Sequence, residues 1–345
     1  MKKIIDISGY GHSGKTAISE FLQDFSNVFS FPNNVEFELF RAQGGLVDLY
    51  LSIYFSWNLI RSRVRLNEFK ILVKRIGTIS NKFKPWTLWT ASGNNYNRYF
   101  NNKFIEISED FIEDLIEIRQ NAYWPYDSLT DSKFNVFLTK VKSKLSNKLI
   151  LNEIYYSDRN SFLKHTSKYI HRLINELGTL KQTHILLNNS FDPYNPDICL
   201  EMVENSCSII VDRDPRDIYA SMIDSNDIFV PHFEKYNSNR EIKIRMIGFG
   251  DIDLFIKRYR ILKDNVIDSR NKNILRISYE EFILNHDITA QKIMNHIGLR
   301  NLNKNKNIKF NINDSIKNVG IWKKYKNLDE IIKIEKELKE YCYQQ

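Results

Sequence analysis

The first apolar run, Lys3-Ile4-Ile5-Asp6-Ile7-Ser8, is β-branched and stops at Gly9, the pattern of a strand buried in a parallel sheet. From Ser13 the period changes, with Ala17, Ile18, Phe21, Leu22 and Phe25 recurring at helical spacing. Strand, glycine turn and helix in succession predict the opening of a βα unit. Further strands are expected at Val35–Phe40, His184–Leu187, Ser208–Asp212 and Asn273–Ser278, with enough chain between them for helical crossovers. The predicted fold class is therefore α/β with a central parallel sheet. Between about Leu46 and Leu180 aromatic and basic residues are mixed (Tyr54, Trp57, Arg61, Arg63, Arg65, Lys70, Lys74, Arg75) with helical periodicity and few strand signals. This predicts a large helical insertion within a single domain spanning 1–345. Lys84-Pro85-Trp86 and Ser92-Gly93-Asn94-Asn95 break its helices, and such a segment either covers a site or completes the core. Residues Arg300–Asn313, rich in Asn and Lys, read as an exposed loop.

Composition narrows the class. With 42% hydrophobic and 27% charged residues in 345, the chain reads as globular, not disordered. Fifty Lys+Arg against 42 Asp+Glu give +8 at pH 7, scattered along the chain, which suits an anionic ligand without demanding nucleic acid. Cys199, Cys207 and Cys342 are too few and too irregular for a disulfide framework or a zinc site, so a reducing compartment is expected. Met1-Lys2-Lys3 precedes only Ile4 to Ser8 before Gly9, too short for a signal-peptide core. No run approaches the ~20 apolar residues of a membrane span, and a cytoplasmic location is expected.

Gly9-Tyr10-Gly11-His12-Ser13-Gly14-Lys15-Thr16 matches the G-x-x-x-x-G-K-T phosphate loop in letters and in its strand-to-helix context. Glycines let the backbone curl around an anion with amides inward, and the helix N-terminus adds partial positive charge. Lys15 supplies a cation, Thr16 or Ser13 a hydroxyl. ATP, GTP and phosphosulfate donors all fit such a loop.

A second anchor follows the Ser208–Asp212 strand. Asp212 alone would suit the Mg²⁺-binding acid of a P-loop kinase or NTPase working with Lys15 and Thr16. The next residues, Arg213-Asp214-Pro215-Arg216-Asp217-Ile218-Tyr219-Ala220-Ser221, instead put an arginine at the strand end, a proline suited to a first helical turn and a serine on the helix. Arg213 can make bidentate bonds to a phosphate and Ser221 can donate a hydroxyl, which makes a second anion clamp.

Together the two anchors resemble the sulfotransferases that use 3′-phosphoadenosine 5′-phosphosulfate. Ile274–Phe282 is similar to that family's late strand and following helix start, Ile288–Gly298 to its next helix, and Asn318-Val319-Gly320-Ile321-Trp322-Lys323 to its C-terminal Gly-x-Trp-Lys segment. The resemblance implies a three-layer, P-loop NTPase-like α/β fold. It implies a donor site of Gly11, His12, Ser13, Gly14, Lys15, Thr16 and Ala17 for the 5′-phosphosulfate, Arg213 and Ser221 for the 3′-phosphate, and Gly320, Trp322 and Lys323 closing over both. Adenosine 3′,5′-bisphosphate would be the product, and no metal is required. Two departures stand out. The family carries its loop cation where His12 stands and a threonine where Lys15 stands, which leaves Lys15 and His12 as alternatives for the charge at the leaving phosphate. The Arg-Lys-Gly triplet of the cytosolic phenol and steroid branch is absent, only Lys317 remaining in that stretch, which points toward the glycan and protein branch.

That branch draws its general base from a glutamate shortly after the phosphate loop. Glu36 and Glu38, two positions apart on the predicted Val35–Phe40 strand, share one face and are the candidates, Glu36 slightly favoured. His184 and His12 are alternatives. The polar Asn188–Pro196 segment at a strand's C-terminal end could hold an acceptor. The expected acceptor is a hydroxyl or amine, on a glycan or glycolipid in the leading reading.

Overall fold

The computed structural model describes residues 1–344 apart from 33–34, 82, 127–128, 130–131, 147–150, 180, 225–249 and 301–302. Seven strands form among them: β1 (Lys3–Gly9), β2 (Val28–Ser30), β3 (Ile116–Ala122), β4 (Asn152–Ser157), β5 (His184–Asn188), β6 (Ser206–Asp212) and β7 (Ile274–Ser278). The chain divides into two compact units, 1–38 with 177–200 and 204–345, and 39–176 with 201–203.

The first unit is built on a five-stranded, wholly parallel sheet in the order β2-β5-β1-β6-β7. Its middle strand is β1, paired with β5 from Lys3↔His184 to Ile7↔Asn188 and with β6 from Ile4↔Ser206 to Gly9↔Val211. A strand paired on both sides and covered on both faces has no solvated side, which is why Ile4, Ile5 and Ile7 are fully buried and the run is apolar rather than alternating. Ile5, Ile7, Ile209, Val211 and Ile277 pack on one face against Ala17, Ile18, Phe21 and Leu22 of the Lys15–Gln23 helix and against Phe282, Ile283, Ile293 and Ile297 of the two helices after β7. A second apolar cluster joins Ile218, Tyr219 and Met222 of the Pro215–Asp224 helix to Phe255, Ile256 and Tyr259 and to Ile331 and Ile334. Parallel strands bring all their C-terminal ends to one sheet edge, so the loops opening at Gly9, Asn189 and Arg213 meet there.

The four strands expected at 3–8, 184–187, 208–212 and 273–278 are all present, as is the helix after the glycine loop. The strand expected at Val35–Phe40 is not. Its place beside β5 is taken by the three residues of β2, and Pro32, with no amide hydrogen to give a ladder, comes two residues after that strand ends. Glu36 keeps a single parallel bridge to Asn188, and residues 38–40 turn away. The alternation of Glu and Phe that reads as a strand comes from Phe37 plunging into the core and stacking on Phe31.

The second unit is mainly helical, with Leu59–Gly77, Phe104–Asp114 and Phe162–Asn175 packing through Phe69, Phe111 and Tyr169. It also holds an antiparallel ribbon, β3 with β4, which helical periodicity did not predict. The β3 strand is exposed along most of its length, so its sequence carries little of the apolar alternation by which strands are read. No helix among the described residues is long and apolar enough to cross a membrane. The three cysteines are unpaired.

Candidate functional site

The glycine loop folds as its letters demand. A Cβ on Gly9 would lie 2.5 Å from Ser13 Oγ and 2.7 Å from the Val211 carbonyl, so only glycine lets the loop cross the end of β6. Gly14 adopts φ 80° as the residue that opens the helix, and a Cβ there would strike the Tyr279 ring. No side chain caps this helix start, and amides in a first helical turn have no intrahelical acceptor, so Lys15 and Thr16 present theirs at the positive end of the helix dipole. Ser13 is buried, and its hydroxyl has no hydrogen-bond partner among the described residues. Ala17 lies in the core instead, with its amide spent on the Gly14 carbonyl, which leaves it only a packing role.

The two anchors converge on one residue. Arg213, buried at the end of β6, donates from Nη1 to the His12 carbonyl at 2.9 Å and from Nη2 to the Asn318 carbonyl at 2.6 Å. Ser221 Oγ lies 3.3 Å from His12 Nδ1. His12 itself has φ 61°, the left-handed region. Tyr279, under the Arg213 guanidinium at 5.0 Å, completes the wall, and its hydroxyl donates to the Ser315 carbonyl. Arg213 Nε, like Ser13 Oγ, is buried without a hydrogen-bond partner among the described residues. A buried guanidinium N–H and a buried hydroxyl left open at a helix N-terminus form a donor set chemically suited to phosphate-type oxygens.

The C-terminal segment is tied to the same helix. Asp217 accepts the amides of Gly320 at 2.7 Å and Trp322 at 3.1 Å, and burial raises its pKa against the effect of those bonds. Gly320 adopts φ 69° to make the turn. Trp322 lies against Arg216, whose guanidinium is 4.3 Å from the ring centroid, and Arg216 in turn grips Asp214 through Nε and Nη2. Lys323 is 5.6 Å from the Trp322 ring. Gly320 therefore joins the anchor through Asp217 and the neighbouring Asn318 carbonyl, whereas Trp322 and Lys323 are engaged with Arg216 and with each other. These residues line a cavity of about 270 Å³ with Asp214 and Glu280. Burial pushes the Glu280 carboxyl up to about 7, while its Oε1 accepts the Asp214 amide at 3.0 Å.

The two glutamates are separated by the turn. Glu36 Oε1 lies 3.4 Å from Lys15 Nζ and accepts a bond from Asn189 Nδ2 at 2.5 Å. Asn189 is held at φ 46° immediately after β5, with its amide on the Ile7 carbonyl. Glu38 begins the 38–40 turn and is not joined to Lys15 or Asn189 by any of these bonds. His184 sits at the N-terminal end of β5, opposite the loop edge, between Thr183 Oγ1 and the Ile297 carbonyl, with its pKa lowered by burial. That removes it from contention as a base.

Three residues of this site escape sequence reasoning as individuals. Tyr279 and Asn189 lie in segments flagged only as motifs. Asp6, a carboxylate in the middle of an apolar strand, carried the clearest unused signal: fully buried, it accepts the amides of Ser190 and Phe191 and lies within hydrogen-bond distance of the Ser8 and Ser208 hydroxyls. It thereby fixes the backbone directly after Asn189.

No family model and no curated protein matches the chain. Among solved structures it is similar to a sulfotransferase from Mycobacterium avium (12% identity, 99% of this chain and 76% of that one, TM-score 0.36). It is also similar to retinol dehydratase in complex with androsterone and the inactive cofactor PAP (14%, 98% and 80%, 0.35). A third is the sulfotransferase domain from the curacin biosynthetic pathway (10%, 87% and 75%, 0.34). Likeness at this level assigns no residue a role.

Proposed function

We propose that this chain is a sulfotransferase, moving a sulfuryl group from 3′-phosphoadenosine 5′-phosphosulfate to an acceptor hydroxyl or amine. The observation that carries the reading is the meeting of Arg213 and Ser221 on His12. Two anion clamps that share a residue suit one ligand bearing two phosphate-type groups, and a simple nucleoside triphosphate site leaves the second clamp without a task. The amides and hydroxyls at Ser13 to Thr16 would hold the 5′-phosphosulfate, and Arg213 and Ser221 the 3′-phosphate.

Transfer is an in-line displacement: the acceptor oxygen or nitrogen bonds to sulfur as the sulfur–oxygen bond to the 5′-phosphate breaks, and the acceptor proton must leave. Glu36 receives that proton, positioned by Lys15 and Asn189, which both approach its Oε1. Lys15 and the helix-start amides stabilise negative charge gathering on the departing phosphate. The same chemistry needs positioning more than covalent participation by the protein, by analogy with phosphoryl transfer. The glutamate shortly after the loop, like the family's glycan and protein branch, favours a carbohydrate or glycolipid hydroxyl as acceptor.

The kinase or NTPase reading would use Asp212 on Mg²⁺, but Asp212 Oδ1 is bonded to Lys263 Nζ at 2.5 Å, and that ammonium lies 4.7 Å from the Tyr10 ring centroid. A cation already neutralises the acid. Calorimetry compares the readings directly: adenosine 3′,5′-bisphosphate should bind more tightly than ATP, and ATP binding more tightly would favour the NTPase. Incubation with labelled donor and a panel of glycans, lipids, phenols and peptides, read by product mass, identifies the acceptor.

A further inference from the structure

Phe104–Asp114 and Phe162–Asn175 bury their apolar stripes in the core of the second unit, including Phe104, Ile107, Phe111, Phe162, Ile170 and Leu173. The Lys133–Ser146 helix of the same unit does not. Phe134, Phe137, Leu138, Val141 and Leu145 recur at i, i+3, i+4, i+7 and i+11, one stripe about 100° wide at helical geometry. Phe134, Phe137 and Leu145 are 67%, 61% and 83% exposed, and none of the helix's described side chains is buried. Fourteen residues contain four lysines and no acid. On the helical wheel Lys133, Lys140 and Lys144 border the stripe on one side and Lys142 on the other.

We infer that this helix docks the protein on an anionic lipid surface. An apolar stripe bordered by lysines matches such a surface on both counts: rings and leucine enter the acyl boundary while ammonium groups remain among anionic headgroups. A second copy of the chain is a poorer occupant, because pairing two such faces would bring two sets of four positive charges together with no acid on either helix to offset them. Exposed Phe83, Trp86 and Trp89 beside Lys84 elsewhere in the unit add side chains of the types that favour a membrane interface.

The test is co-sedimentation of the full-length protein with phosphatidylcholine vesicles, with and without phosphatidylglycerol. Binding is expected only with the anionic lipid and should weaken with added salt. Each lysine near such a surface is worth about fivefold in partitioning, so Lys140→Gln with Lys144→Gln should weaken it about 25-fold. Phe134→Ser with Phe137→Ser, both exposed and therefore harmless to folding, should abolish it. Adenosine 3′,5′-bisphosphate affinity, measured on the same variants, should stay at the wild-type value, so failure here is distinguishable from failure of the sulfotransferase reading. Wild-type protein left in the supernatant with anionic vesicles, or a Phe variant that binds as well as wild type, overturns the inference. A concentration-dependent dimer dissolved by the Phe substitutions also overturns it, assigning the stripe to a second copy.

Discussion

Arg213 reaches across from the end of β6 to bond the His12 carbonyl at 2.9 Å, so the strand that carries the second anchor also fixes the backbone of the first. Two of its guanidinium nitrogens are spent on the chain and Nε has no partner among the described residues. Arg213→Ala should lower affinity for adenosine 3′,5′-bisphosphate by about tenfold to 150-fold, the worth of a charge-assisted contact of about 1.5–3 kcal/mol. Ser221→Ala should cost less, since it removes one neutral hydroxyl. Calorimetric affinities at wild-type level in both variants would take the second anchor out of the site.

The charge at the departing phosphate is tested by ranking two loop residues. Lys15 faces Glu36 while the His12 ring faces Ser221, so Lys15→Ala should lower the single-turnover rate far more than donor affinity. His12 sits at φ 61°, where alanine would add strain, and His12→Asn is the cleaner change because asparagine tolerates that region. It should leave the rate within a few-fold. The opposite ranking would hand the role to His12.

Glu36 and Glu38 are separable by the same logic. A positioned base is worth about 10²–10⁴-fold in rate, so Glu36→Gln should depress kcat by that much and spare bisphosphate affinity, since glutamine keeps an oxygen for Asn189. Glu38→Gln should be nearly silent. Wild-type kcat in Glu36→Gln, measured on a verified acceptor, would exclude it as the base.

The phosphate loop was legible because its constraints are local: Gly9, Gly14 and Lys15 are read off eight consecutive letters. The parallel sheet was legible where strands are buried on both faces. What the letters could not convey depends on strand order. Arg213 and His12 stand 201 residues apart, and Asn189 and Glu36 153 apart, yet they touch because β1 is flanked by β5 and β6. That Glu36 meets Lys15 and Asn189 while Glu38 falls in a turn depends on the fold for a related reason: the expected 35–40 strand is reduced to one bridge to Asn188 before the chain turns.

Asp6 joins stability to the site through pH. Burial pushes its carboxyl up to about 6, against four hydrogen bonds that pull the other way. The geometry agrees with a held proton: Ser8 Oγ is 2.6 Å from Asp6 Oδ2 and 2.8 Å from the Phe191 carbonyl, and one hydroxyl hydrogen cannot serve both. A proton on Oδ2 lets Asp6 donate to Ser8, which then donates to Phe191. Because the folded pKa lies above the ordinary 3.8, the native state binds the proton more tightly, and the stabilisation is complete below about pH 4 and lost as pH rises through about 6. The loss is on the order of 3 kcal/mol. Asp6→Asn keeps an acceptor for the Ser190 and Phe191 amides and does not titrate, so its stability should stay nearly flat relative to wild type across that window while kcat holds within a few-fold. Asp6→Ala leaves those two buried amides unpaired, at about 1–3 kcal/mol each, and loosens Asn189 beside Glu36. It should lower kcat more than bisphosphate affinity. Denaturant titrations of wild type and Asp6→Asn that run parallel from about pH 4 to 7 would mean that Asp6 is ionised throughout and does not hold the proton.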